Sequence, residues 1–295
     1  MSRLDWNREG LIWPHREAST FIRLGRANWH VQRMGPKDKG GGPPLLLLHG
    51  TGASVHSWRG LMPLLAQTQT VIAPDLPRHA FTTGHDAYAM SLPAMAGEIA
   101  ALLKALAVEP AAIIGHSAGA ALALQLALDH GYTGPIVGLN AALRPFPGPF
   151  AQIFPAVAKA LFINPLVPRI FTGSIDLVGG AERFLWRSTH SRIEADGIAC
   201  YRTLLKHPGH AGGALAMMAN WDLPTLRTRM GSAANPVLLV HGESDPAIPL
   251  DWARDAQGWL RQARLDVLPG LGHLAHEEAP EKVAAKIAAF LAEHG

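Results

Sequence analysis

The chain has 295 residues, 48% of them hydrophobic and 17% charged, a composition that excludes a disordered chain and predicts a globular protein with a large core. There are 26 Lys and Arg residues against 23 Asp and Glu residues, with no basic block, so we predict no nucleic-acid partner. The single cysteine excludes an internal disulfide and, with no export signal over residues 1–10 and no run of 18 apolar residues, favours a cytoplasmic protein.

The first half of the chain predicts an α/β sheet. A hairpin over 19–35 turns at Gly25 and is followed by a Gly/Pro loop. Next comes Leu45–Leu48, an uninterrupted apolar run of the kind buried on both faces of a parallel sheet. Similar runs at 71–73, 112–114 and 135–139 alternate with helical stretches at 57–66, 92–106 and 118–130. This alternation predicts parallel strands joined by right-handed helical crossovers.

The alternation stops after residue 142. Residues 143–229 are interrupted by prolines, rich in aromatic side chains and without a strand signal, so we predict a helical cap there. The sheet resumes at Val237–Val240, and an amphipathic helix over 279–294 closes it. We therefore predict an α/β fold with a mostly parallel, eight-stranded sheet flanked by helices. Its domains are a first core part (1–142), the cap (143–229) inserted between core strands, and a second core part (230–295).

A candidate nucleophile lies in the second half of the core's first part. Ser117 is the serine of a G-x-S-x-G sequence, residues 115–119, between a buried strand and an Ala/Leu-rich helix. In that context the serine occupies a sharp, strained strand-to-helix turn and stands at the edge of the sheet. Gly115 and Gly119 are needed where the neighbouring backbones approach closely. A glycine-rich turn with an inert serine is the alternative.

A serine nucleophile needs a base that is oriented by a carboxylate. Asp245 follows the buried strand at 237–240, and His273 lies in a glycine loop after a short strand, so both belong at the carboxyl edge of the sheet. We predict the triad Ser117, Asp245 and His273. Glu243 is the alternative acid and His276 the alternative base, although His276 is expected to be a solvated polar residue.

An acyl-transfer site also needs backbone donors for the developing oxyanion. The N–H of Ala118 supplies one, and the loop after Leu48 supplies the other, with Thr51 as the predicted donor and Gly52 next. No G-K-[ST] continuation or G-x-G-x-x-G motif accompanies this loop, which disfavours nucleotide binding. No metal-ligand cluster is visible, and the acids at 277–278 are expected to be solvated, so we predict no cofactor or metal.

These motifs resemble the α/β-hydrolase superfamily over nearly the whole chain: His49-Gly50-Thr51-Gly52, residues 115–119, Asp245, and Gly272-His273 with Glu278 and Pro280 downstream. The chain also resembles one subgroup of this superfamily, the magnesium chelatase accessory proteins of bacteriochlorophyll biosynthesis. This second resemblance lies in residues 13–19, 29–32, 74–77 and 81–82. The superfamily resemblance implies a serine hydrolase, because the related haloalkane dehalogenases and epoxide hydrolases use aspartate as nucleophile. The subgroup resemblance implies a porphyrin-pathway substrate and contact with magnesium chelatase.

One loop departs from the family pattern. The relatives' loop after the third strand commonly reads Asp-x-Pro-Gly-x-Gly, whereas Arg78 and Ala80 occupy the glycine positions here. Either the turn is rebuilt, or Arg78 adopts a strained conformation that costs on the order of 1–3 kcal/mol.

The expected activity is hydrolysis of an ester-type carbonyl in a hydrophobic small molecule. The cap's aromatic side chains, with the serine's neighbour, are the candidate pocket lining: His116, Phe146, Phe150, Phe154 and Phe162. The cap's own core is the alternative place for these phenylalanines. Two other functions stay open: C–C bond hydrolysis by the same triad, and a non-catalytic porphyrin-binding or chaperone module assisting magnesium chelatase. Contact of the apolar cap with a membrane surface also stays open.

Overall fold

The computed structural model describes residues 3–36, 42–145, 166–177 and 179–294. Eight strands form one sheet in the order β1-β2-β4-β3-β5-β6-β7-β8. The strands are β1 (Ser19–Leu24), β2 (Ala27–Met34), β3 (Leu45–Leu48), β4 (Val71–Pro74), β5 (Ala112–His116), β6 (Ile136–Leu139), β7 (Val237–Gly242) and β8 (Ala263–Leu268). The hairpin strand β2 pairs antiparallel with β1 and β4, and every later neighbour pairs in parallel. The predicted mostly parallel, eight-stranded sheet is confirmed.

The apolar strand runs form two hydrophobic cores, one on each face of the sheet. Strand β3 shows how this works, because successive side chains of a strand point to opposite faces. Leu46 and Leu48 belong to one core, whereas Leu45 and Leu47 belong to the other, and all four are almost fully buried. A strand buried on both faces needs an apolar residue at every position, which explains the absence of alternation in the sequence.

Helices cover both faces of the sheet. Helices α2, α3 and α9 contribute to the core that contains Leu46, and α1 and α11 contribute to the core that contains Leu45. The helices are α1 (Leu61–Leu65), α2 (Leu92–Ala105), α3 (Ala118–His130), α4 (Val167–Ser174), α5 (Gly180–Thr189), α6 (Ala195–Leu205), α7 (Pro208–Ala219), α8 (Leu223–Arg229), α9 (Leu250–Trp259), α10 (Ala275–Glu278) and α11 (Pro280–His294). None of the helices in these described ranges is long and apolar enough to cross a bilayer.

The helical cap lies between β6 and β7, as the sequence predicts. Its described helices, α4 to α8, follow one another from residue 167 to residue 229 without a strand. A small hydrophobic cluster joins it to the core loops, with Leu185, Ile198 and Tyr201 from the cap packing against Ala53 and Leu274. This cluster holds the cap over the edge of the sheet where β3, β5 and β7 end. The domain boundaries at 142/143 and 229/230 stay predictions.

Candidate active site

Ser117 occupies a tight, strained turn between β5 and α3. Its φ of 51° and ψ of −114° lie where residues other than glycine are rarely found. Both glycines of the motif are required for this turn. A Cβ on Gly115 would lie 2.3 Å from the carbonyl carbon of Gly119, and one on Gly119 would lie 2.0 Å from the carbonyl oxygen of Leu48. The strand and helix can therefore approach each other closely enough to place the serine at the end of the sheet.

Asp245 and His273 form a direct pair at the same edge. The Nδ1 of His273 lies 2.7 Å from Oδ2 of Asp245, and both residues are buried. Oδ1 of Asp245 accepts the backbone N–H groups of Ala247 and Ile248 at 2.8 and 3.0 Å. Burial raises the pKa of Asp245, but its contacts with His273 and these backbone donors outweigh burial and hold the pKa below its usual value. The aspartate is therefore ionised at neutral pH and orients the imidazole so that Nδ1–H donates to it.

The alternative acid takes no part in this pair. Glu243 accepts the backbone N–H of Gly270 through Oε2 at 3.3 Å and is exposed. Its side chain is thus directed to the loop before His273 and not to the imidazole. Of the two candidate acids, the structure places Asp245 alone against His273.

Asn140 is a residue of this site that the sequence reasoning missed. It follows β6, has a positive φ of 45°, and is fully buried. Its Nδ2 donates to Oδ2 of Asp245 at 2.8 Å and to the carbonyl of Gly272 at 3.3 Å. The signal was present, because a polar residue directly after a buried parallel strand belongs at the carboxyl edge of the sheet.

Ser117 and His273 line the same cavity but make no hydrogen bond with each other in the described part of the structure. Because Nδ1 of His273 donates to Asp245, its Nε2 is the nitrogen that can accept a proton from a serine hydroxyl. Hydrogen bonds between a nucleophile and its base are often long in enzymes without substrate. The imidazole of His273 and the carboxylate of Asp245 are therefore paired already, whereas no hydrogen bond joins this imidazole to the hydroxyl of Ser117.

The loop after β3 packs directly onto the serine turn. A Cβ on Gly50 would lie 2.8 Å from Nδ1 of His116 and 3.1 Å from Cβ of Ser117, so a glycine is needed there. Within the described residues, the backbone N–H of Thr51 donates to no other backbone group. Ala118 is the first residue of α3, and its N–H has no acceptor within the helix. Two backbone donors beside Ser117 are thus without backbone acceptors.

His210 of cap helix α7 holds this loop in place. Its Nδ1 accepts the backbone N–H of Ala80 at 3.0 Å, so its proton is on Nε2, which donates to the carbonyl of Gly52 at 3.0 Å. Burial, together with the neighbouring His79, lowers the pKa of His210 to about 3. The imidazole is therefore neutral at physiological pH, as this pair of hydrogen bonds requires. No motif in the sequence singles out this residue.

The expectation that His276 is solvated is wrong. His276 is fully buried, with ring centroids 4.4 Å from His116 and 4.8 Å from Trp58. His116 in turn binds the backbone carbonyl of His273 through Nε2 at 3.0 Å. Burial and the neighbouring His273 lower the pKa of His116 to about 3. The two neutral imidazoles support the loop that carries His273, because α10 begins only two residues later.

The expectation that the acids at 277–278 are solvated is wrong for Glu277. This carboxylate is buried, pairs with Nη1 of Arg59 and accepts the hydroxyl of Tyr201 at 2.7 Å. Burial raises the pKa of Glu277, although the Arg59 guanidinium opposes the shift. A carboxylate is stable inside a protein only when a cation or hydrogen-bond donors are paired with it in this way. The pair joins the core to cap helix α6, on which Tyr201 lies.

A cavity of about 360 Å³ opens over the serine, between the cap and the core loops. Ser117, His273 and Thr51 line its polar end, and His116 is among the lining residues, as predicted. The rest is mainly apolar, with Phe171, Phe184, Leu204, Leu205, Leu215 and Met218 from the cap. The predicted lining residues Phe146, Phe150, Phe154 and Phe162 lie outside the described residues. Within the described ranges, no group of three His, Cys, Asp or Glu side chains is arranged to hold a metal ion.

The loop that departs from the family pattern keeps the glycine-like backbone. Arg78 and Ala80 have φ angles of 60° and 40°. Of the two alternatives, the structure therefore has the strained conformation and not a rebuilt turn. Cap helix α7 holds it there: His210 accepts the N–H of Ala80, and a Cβ on Gly213 would lie 2.2 Å from the carbonyl oxygen of Arg78.

Comparison with known proteins agrees with this architecture. Residues 43–280 match the family described as the alpha/beta hydrolase fold. The magnesium-chelatase 30 kDa subunit of Rhodobacter capsulatus is 42% identical over 283 residues, which cover 95% of this chain and 96% of that protein. The 2-hydroxymuconate semialdehyde hydrolase of a Pseudomonas species is 26% identical over 265 residues, which cover 87% of this chain and 89% of that protein.

The solved structures are more distant in sequence and bear on the fold alone. A crystal structure of an alpha/beta hydrolase fold protein from Burkholderia ambifaria superposes with a TM-score of 0.76 at 22% identity. The superposition covers 92% of this chain and 97% of that one. The chain therefore belongs to the α/β-hydrolase family and, within it, to the subgroup of the magnesium-chelatase 30 kDa subunit.

Proposed function

We propose that the chain is a serine hydrolase that attacks an ester-type carbonyl of a hydrophobic small molecule. The observation that carries the proposal is the Asp245–His273 pair, 2.7 Å apart, beside a strained serine in one cavity. A carboxylate that fixes the tautomer of a histidine next to an alcohol is the arrangement that nucleophilic catalysis by serine requires. Families that use an aspartate nucleophile have no need of a serine at this turn.

In the proposed reaction, Nε2 of His273 takes the hydroxyl proton of Ser117 as its Oγ forms a bond to the substrate carbonyl carbon. Asp245 stabilises the imidazolium that results, and His273 then protonates the leaving alcohol. Water, activated by the same imidazole, hydrolyses the acyl-serine and restores the enzyme. The open contact between Ser117 and His273 closes when substrate orders the site.

The developing oxyanion is bound by the backbone N–H groups of Thr51 and Ala118. Ala118 lies at the start of α3, where the helix dipole adds favourable positive potential. His210 fixes the neighbouring carbonyl of Gly52 and so keeps the Thr51 loop close to the serine. Removal of one such donor typically costs about 10²–10³-fold in turnover.

The cavity supports a hydrophobic substrate of modest size. Its volume of about 360 Å³ is near the lower end of the roughly 300–1,000 Å³ of ligand pockets. The acyl or alcohol group that is bound there packs against Phe171, Phe184 and the neighbouring leucines. A porphyrin-pathway ester remains a proposal that draws on the chelatase-subunit relative.

A second candidate function is a non-catalytic role beside magnesium chelatase. It is favoured by the 42% identity to a protein named as a chelatase subunit, and by the open contact between Ser117 and His273. In that role the cap and core would hold a hydrophobic ligand or contact the chelatase, and the serine would not react.

The test is a hydrolysis panel with short-chain p-nitrophenyl esters, porphyrin methyl esters and a vinylogous diketone. We expect ester cleavage that is lost in Ser117→Ala and retained in Ser188→Ala, because Ser188 lines the same cavity without contacting Asp245 or His273. Cleavage of the diketone alone would favour a C–C hydrolase. Equal rates for wild type and Ser117→Ala, or no turnover of any substrate, would reject the hydrolase proposal in favour of the non-catalytic role.

A further inference from the structure

The base loop, residues 272–274 around His273, is bound to the cap through its backbone. Its three consecutive N–H groups all have acceptors. The N–H of His273 donates to the carbonyl of Thr189 at 2.8 Å. The N–H of Leu274 donates to Oγ of Ser191 at 2.9 Å. Thr189 is the last residue of cap helix α5, so the cap binds the backbone on which the imidazole is carried.

Glu278 accepts the remaining N–H of the base loop. It is the last residue of α10 and is half-buried, and its Oε2 accepts the N–H of Gly272 at 2.8 Å. Its other oxygen, Oε1, accepts the backbone N–H of Arg192 in the cap at 3.0 Å. Hydrogen bonds to a carboxylate are roughly twice as strong as those between neutral groups. One side chain thus joins the residue before His273 to the cap segment that follows α5.

The base loop and the cap segment 189–192 are also in tight contact. A Cβ on Gly272 would lie 2.3 Å from the carbonyl oxygen of Thr189 and 2.5 Å from Oγ of Ser191. Both of these cap residues are buried. Only a glycine lets the two segments approach as closely as their hydrogen bonds require. A shift of this cap segment would therefore also displace the base loop.

The position of the imidazole depends on this backbone. Asp245 binds Nδ1 of His273 at 2.7 Å, and within the described ranges no hydrogen bond joins Nε2 to Ser117. A single contact at Nδ1 fixes the tautomer of the ring. It does not by itself fix the distance from Nε2 to the serine, which changes when the backbone of His273 moves.

We propose that Glu278 is a positioning residue for His273. By joining the N–H groups of Gly272 and Arg192, its carboxylate lets the cap set the position of the imidazole relative to Ser117. This inference rests on the proposed hydrolase function, because it concerns the base of that reaction. Glu278 is not among the residues that line the cavity of the described structure, so it acts through the base loop and not on the substrate. A substrate that packs against the cap then acts on the base through segment 189–192.

The test is the rate at which a fluorophosphonate labels Ser117 in the intact protein. In this reaction Oγ bonds to phosphorus, fluoride leaves, and the hydroxyl proton passes to Nε2 of His273, so the rate constant reports the position of the base. Glu278→Ala should lower this rate constant about 10- to 100-fold, as a misplacement of roughly 1 Å does. It should lower kcat for p-nitrophenyl esters to a similar extent, with little change in KM. A role in folding alone would reduce the fraction of protein that is labelled, but not the rate constant of that fraction.

Three companion variants are measured in the same way. Ser191→Ala removes the acceptor of the Leu274 N–H and should also slow labelling. Glu278→Gln keeps the shape of the side chain but only one acceptor oxygen, so its rate constant should lie between those of the wild type and Glu278→Ala. Glu281→Ala is the matched control and should react at the wild-type rate, because Glu281 is exposed on the next helix.

The outcomes separate this inference from the proposed function. A folded Glu278→Ala with the wild-type rate constant would overturn the inference and leave the hydrolase function intact. If Glu278→Ala does not fold, wild-type rate constants in both Glu278→Gln and Ser191→Ala overturn it instead. An unlabelled Ser117 in the folded wild type would reject the hydrolase function, and this inference with it.

Discussion

The buried histidines predict a steep loss of stability on mild acidification. Burial lowers the pKa of His79 to about 4 and those of His116 and His210 to about 3. In the unfolded chain each would titrate near about 6.5. Between these values the unfolded state binds more protons than the folded state, so the free energy of unfolding decreases as the pH falls below about 6.5.

The size of the effect follows from these values. At pH 5.5, protonation stabilises the unfolded state by about 1.4 kcal/mol for each such histidine, and by less than about 0.1 kcal/mol at pH 7.5. The three histidines together therefore remove about 4 kcal/mol, a large part of the roughly 5–15 kcal/mol that stabilises a typical domain. His276 acts in the same direction, because burial also places its pKa well below the usual value.

Urea unfolding at pH 7.5, 6.5 and 5.5 measures this loss. His79→Gln should reduce the loss of unfolding free energy between pH 7.5 and pH 5.5 by about 1.4 kcal/mol, the share of one histidine. His130→Gln is the matched control, because His130 is exposed and the same substitution there removes no buried imidazole. A free energy of unfolding that is constant from pH 7.5 to pH 5.5 would refute the neutral, buried state of these imidazoles.

Three further predictions concern single contacts. Ala80→Gly should raise the free energy of unfolding by about 0.5–1 kcal/mol in urea melts, because relief of the positive φ exceeds the entropic cost of glycine; a decrease would contradict the strain. Asn140→Gly keeps the positive φ accessible but removes the side-chain donor to Asp245. We therefore expect the free energy of unfolding to fall by about 1.5–3 kcal/mol at pH 7.5. An unchanged midpoint in urea would show that the contact contributes nothing. His210→Gln should lower kcat for p-nitrophenyl esters about tenfold with little change in KM, because the loop that carries the Thr51 amide loses its hydrogen bond to His210. An equal loss of kcat in His130→Gln would show that the effect is not specific to this loop.

The fold could be predicted from the sequence because its central strands are buried on both faces. Runs such as Leu45–Leu48 have no other stable place than the centre of a parallel sheet, and the helical stretches between them leave little choice of topology. The cap could also be predicted, because the prolines and aromatic residues after residue 142 interrupt the pattern of apolar strands. Residues 146–165, where the predicted pocket phenylalanines lie, are outside the described structure.

The sequence could not predict which polar residues near the site are buried, because contacts between residues far apart in the chain decide their burial. Asp245 and His273 could be placed at one edge because each follows a strand, and the structure brings them together. Glu277 and His276 were expected to be solvated because polar residues usually are. Their burial depends on partners more than 150 residues away, Arg59 and His116, which no local pattern reveals.

Covalent labelling tests the central claim most directly, because only an activated serine reacts readily with a fluorophosphonate. The intact protein is incubated with the probe, and the modified residue is identified by peptide mass spectrometry. The account predicts one equivalent of label on Ser117, with none in Ser117→Ala and strongly slowed labelling in His273→Gln. An unmodified Ser117 in the folded wild type, or labelling that is equally fast without the imidazole of His273, would contradict it.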